Sequence, residues 1–68
     1  MSLKLELLNA LRLKYESEIQ QHKATILIYL SNPVGIGEHP QHLEEMDTLL
    51  EKMTAAHDKL EILNKYFQ

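Results

Sequence analysis

The residues of this chain that are able to do chemistry are mostly histidines and acids, and they are densest in the stretch EHPQHLEE, positions 38–45. His39 and His42 lie three apart, and His42 shares a helix face with Glu45, a spacing that metal sites use. One reading is therefore a metal-binding module built on His39 and His42 with the nearby acidic residues. The same residues also have a plain structural reading. His39 then serves as a loop or capping residue, and His42 as a solvated residue of a first helical turn.

The other two histidines fall inside apolar rows. In an antiparallel hairpin turning near residue 36, His57 comes level with Tyr15 and His22 comes near Leu50. A hydrogen bond between Tyr15 and His57 would satisfy both polar groups in a core and set the packing register. A pH-responsive switch is the alternative use of such a histidine, because burial and partners move its pKa readily. Metal binding by Glu18, His22 and His57 has less support. Di-iron bundles place Glu and His three apart, whereas Glu18 and His22 are four apart.

Catalysis finds little else to use. Cysteine is absent, so there is no thiol nucleophile, disulfide or thiolate metal site. The stretch NPVGIGEHP has two glycines but lacks the Lys and Ser/Thr of a phosphate-binding loop. No cofactor and no enzymatic activity are expected. Seven basic residues are scattered along a chain of net charge −3, which does not form the basic stripe that nucleic acid needs. The longest apolar run, ILIYL at 26–30, is far below the roughly 20 residues of a membrane span. The first residues carry interspersed charges and no uninterrupted apolar stretch, so no signal peptide is read there. A cytoplasmic location is expected.

The elements that must position these residues are two long helices. Outside positions 31–42 there is no proline and no glycine, and Leu, Glu, Lys, Gln, Met and Ala predominate. Over about 3–31, apolar steps of three and four run through Leu8, Leu11, Tyr15, Ile19, His22, Ile26 and Tyr29. Over about 40–67 they run through Leu43, Met46, Leu50, Met53, His57, Leu60, Asn64 and Phe67. A parallel row at Leu49, Met53, Ala56, Leu60, Leu63 and Phe67 widens this stripe. Asn64 in such a row is a candidate for specifying register. The corner, 32–39, ends one helix at Asn32-Pro33, and Pro40 fits a first helical turn. Val34 and Ile36 are expected to plug the end of the bundle.

The whole chain, 1–68, thus reads as a single all-α domain: an antiparallel two-helix hairpin. It has more apolar side chains than a hairpin can cover. Leu3, Leu7, Leu13, Leu27 and Ile28 lie off the main row and are expected to form an interface. The expected product is a homodimer arranged as a four-helix bundle. The segment 28–67, through NPVGIGEHP and the HLEEMDTLLEKM helix that follows, resembles small uncharacterised helical-hairpin proteins of marine tailed phages and ocean metagenomes. That resemblance implies a phage or marine microbial origin and carries no activity with it. The expected function is a self-associating interaction protein, either a phage accessory or a virion-associated component.

Overall fold

The computed structural model describes residues 2–31 and 41–68, with the side chain of Gln41 left aside. Within them are two α-helices, α1 (Leu3–Ser31) and α2 (Gln41–Tyr66), packed against each other. They form a rod of 53 × 18 × 12 Å. The expected corner, including Val34, Ile36 and His39, lies outside the described residues, as does Pro40, the expected start of the second helix.

Both helices follow from local chemistry. Ser2 caps α1: its Oγ accepts a hydrogen bond from the Leu5 N–H at 3.4 Å, and its carbonyl accepts one from Glu6 at 3.1 Å. An N-cap serine relieves one of the donors that a first helical turn leaves unpaired. Glu6 in the first turn of α1, and Glu44 in that of α2, face the positive end of the helix dipole. Lys65 in the last turn of α2 meets the negative end. Within α1 and α2, the hydroxyls of Thr25, Ser31 and Thr54 donate to carbonyls one turn back, so these helix-neutral residues leave no polar group idle.

Cross-helix contacts fix the direction as antiparallel. Arg12 meets Asn64, Tyr15 meets Lys59 and Tyr29 meets Glu45. The inward row of α1 comprises Leu8, Tyr15, Ile19, His22, Ile26 and Tyr29, all half-buried. On α2 the inward row is Met46, Leu49, Met53, Ala56, Leu60 and Leu63. Leu49, Met53, Ala56, Leu60 and Leu63 come from the second of the two rows read from the sequence and Met46 from the first, while Phe67, a member of both, is exposed. Leu43, Leu50, His57 and Asn64, members of the first row, are exposed. The physical reason is that the 49–53–56–60–63 row is apolar throughout. Turning the other row inward would have buried His57 and Asn64, each of which then needs a partner.

Among the described residues only Ala56, at 1 % exposure, and Leu63, at 7 %, are buried. Ala56, whose side chain is a single methyl group, is the more completely covered of the two. Truncating Leu63 to Ala should destabilise the protein by about 2–5 kcal/mol, the range for a buried leucine. The exposed Leu50→Ala change should stay under about 1 kcal/mol. Urea unfolding followed by helical circular dichroism at one fixed chain concentration compares the two. Equal losses would mean that the wrong row of α2 is buried.

Candidate functional site

Two cross-helix hydrogen bonds stand near opposite ends of the rod. At one end, Arg12 Nε donates to Asn64 Oδ1 at 2.9 Å, while its Nη1 donates to Asn9 Oδ1 at 3.0 Å. At the other, the Tyr29 hydroxyl donates to Glu45 Oε2 at 2.8 Å. The Tyr29 ring stacks on His42, with centroids 5.2 Å apart and planes at 14°. Asn64, a candidate for specifying register from its place in a heptad-like row, is exposed, and its bond to Arg12 has no signal in that row. The Tyr29–Glu45 bond had no sequence signal beyond both residues lying near the corner.

The hydrogen bond expected between Tyr15 and His57 is not formed. Tyr15 comes level with Lys59 instead of His57. Its ring lies beneath Lys59 Nζ at 5.6 Å, with Lys14 Nζ at 5.9 Å. His57 points to solvent beside its own helix neighbours, Nδ1 at 3.9 Å from Asp58 and Nε2 at 3.6 Å from Glu61. Nor do Glu18, His22 and His57 converge. Glu18 and His22 open onto a polar groove with Lys52 and Lys59, whereas His57 lines a different groove with Ile19, Leu50 and Met53. The alignment is shifted by about two residues relative to a turn at residue 36, and α2 is turned by less than one residue, since Met46, Met53 and Leu60 of the first row still face inward.

Of the proposed metal pair, His39 lies outside the described residues and His42 is half-buried against Tyr29. Glu45, the nearest acid on that face, is engaged by the Tyr29 hydroxyl. A different trio does bring donor atoms together: His57, Asp58 and Glu61 offer one each within 4.8 Å. All three are exposed and belong to one turn of a single helix. That arrangement lacks the convergence from several elements, and the exclusion of water, that make a selective metal centre.

The grooves along the rod differ in character. The one beside Tyr29 is polar, lined by Thr25, Glu44, Glu45, Thr48 and Lys52 as well as Leu49. The one at the opposite end is apolar, lined by Leu8, Leu11, Tyr15, Ile62, Leu63 and Phe67, with Asp58 and Lys59 at its edge. The four leucines and one isoleucine expected to form an interface are all exposed, from 51 % at Leu27 to 74 % at Leu3. Helix spacing spreads them around α1: Leu3 and Leu7 share a side, while Leu13 and Leu27 share another roughly 120° from Leu7. A single flat partner therefore cannot cover all five.

No family model, no curated protein and no solved structure matches this chain. The class that the fold defines is an antiparallel helical hairpin. No described helix is long and apolar enough to cross a membrane.

Ionisation reports directly on the Tyr29 contact. Its hydrogen bond to the Glu45 carboxylate, then burial, then the carboxylate's charge raise the Tyr29 phenol above its ordinary 10.0. The neutral phenol is the form that the fold favours. Its contribution is thus complete below pH 10 and is lost as pH rises through the raised value. Absorbance titration should show one of the three tyrosines ionising later than an unperturbed phenol. Glu45→Ala should return it to the ordinary range; an unchanged titration in that variant would show that Glu45 does not hold the phenol.

Proposed function

We propose that this chain is a small self-associating interaction protein, with two copies packing as a four-helix bundle. The observation that carries the reading is the imbalance of its apolar side chains. Two described residues are buried, while thirteen large apolar or aromatic ones are exposed. Chains of this size have little core to spare, and those lacking metal or disulfides use oligomerisation to gain one. Cysteine is absent, and the only trio of potential metal donors among the described residues is exposed. A second copy would supply the missing burial through a symmetric contact, the commonest form of homo-oligomer.

The resemblance of the segment 28–67 to small proteins of marine tailed phages supports an accessory or virion-associated role in the cytoplasm of an infected cell. In that role the chain would work by occupying or bridging protein surfaces. The geometry is suited to this: an elongated two-helix rod with exposed apolar side chains along its length.

Sedimentation equilibrium across nanomolar to high-micromolar concentration tests the reading. The expected result is a reversible shift from the 7.9 kDa chain to twice that mass. Helical signal and thermal midpoint should rise with concentration in the same range, because association stabilises the folded form by mass action. A well-folded species of single-chain mass at every concentration would sink self-association.

A further inference from the structure

We infer that the seam between copies is the apolar groove at the Leu8–Phe67 end of the rod, occupied by the same groove of a second copy. This rests on the self-association reading and adds where the contact lies.

Helix spacing extends the groove on both sides. Leu3, Leu7 and Leu11 follow one another at four-residue steps on α1, and Ile62 and Tyr66 do so on α2. Leu11 and Ile62 line the groove itself, so these two exposed rows run on from its walls. The remaining grooves suit an apolar partner less well. The Tyr29 groove carries Glu44, Glu45 and Lys52, and the His22 groove carries Glu18, Lys52 and Lys59. The groove beside Ile19 is apolar but smaller, and includes Thr54 and His57.

Area supports a second copy as the occupant. The chain exposes 5375 Å². A compact monomer of 7.9 kDa exposes about 4,400 Å². The difference is about 1,000 Å² per chain, or about 2,000 Å² for two, which a stable protein–protein interface of standard size would absorb. Charge points the same way. The groove's edge holds one acid, Asp58, and one base, Lys59. A two-fold axis through the groove sets each acid towards the other copy's base, so the surface is complementary to itself. A membrane surface would instead favour a rim dominated by lysine and arginine.

The test compares self-association of the full chain with that of Leu11→Glu and Ile62→Glu by sedimentation equilibrium. Each should weaken association by about 100-fold or more, since two carboxylates would be buried near the axis. Leu43→Glu, at a more exposed leucine on the far part of α2, should leave it within about three-fold. A surface pair, which leaves the apolar groove intact, gives an independent reading. Lys59→Asp should weaken association, and Asp58→Lys combined with Lys59→Asp should restore it, because exchanging the two signs preserves self-complementarity. If the full chain associates but the groove variants and Lys59→Asp associate equally well, the seam lies elsewhere and self-association stands. If the full chain stays monomeric, whether or not it captures a peptide or sediments with vesicles, both readings fall.

Discussion

Ala56 governs how the rest of the molecule is arranged. It is the most buried residue described, and it has almost nothing to bury. With a methyl group as its most buried side chain, the seam hides only a narrow strip of each helix from water. Tyr15, Ile19, Ile26, Met46 and Met53 consequently remain only half covered. At about 25 cal/mol per Å² of apolar surface removed from water, such a seam supplies little against the entropy of ordering two long helices. The pressure for further burial therefore arises from the seam itself as well as from the leucines left outside it.

A thin seam also specifies register weakly. Apolar rows with three-and-four spacing look similar when one helix slides by two turns, so leucines and methionines alone leave several alignments close in energy. The polar cross-links distinguish them. Arg12 is held by Asn9 on its own helix and reaches Asn64 on the other, and Tyr29 reaches Glu45. Each exposed bond contributes modestly to stability. A slipped alignment would separate Arg12 from Asn64 and Tyr29 from Glu45 together. Placing such bonds near both ends gives the rod one alignment at small energetic expense.

How much of this was legible in the sequence depends on what each feature is made from. Two packed helices follow from strong helix formers interrupted by proline and glycine at one place only. The choice between the two rows of α2 was harder, since Leu50 and Leu43 look better suited to a core than Ala56 does. What decided it was polarity: one row was apolar without a break, and the other contained His57 and Asn64. Tyr15 faces His57 only where the turn is centred on residue 36. An offset of two residues replaces that histidine with Lys59, whose ammonium lies over the tyrosine ring, so the pair was lost through register. The exposed apolar side chains were visible as surplus from the start. Their grouping into a groove at one end required knowing which way α2 is rotated.

That grouping bears on how folding and association would be connected in the proposed assembly. The Leu8–Phe67 end of the rod is where both the groove and the buried Leu63 lie. A second copy seated there would complete the burial of residues that already contribute to the hairpin's own seam, such as Leu8, Tyr15 and Leu63. Contact between copies and contact between helices would then share side chains, and the two energies would not be separable. Fraying at this end would remove the surface that a partner uses, while a bound partner would suppress the fraying. The polar cluster of Tyr29, His42 and Glu45 holds the opposite end without contributing to that surface. Partner binding in this arrangement is thus coupled to order at one end of a two-helix rod.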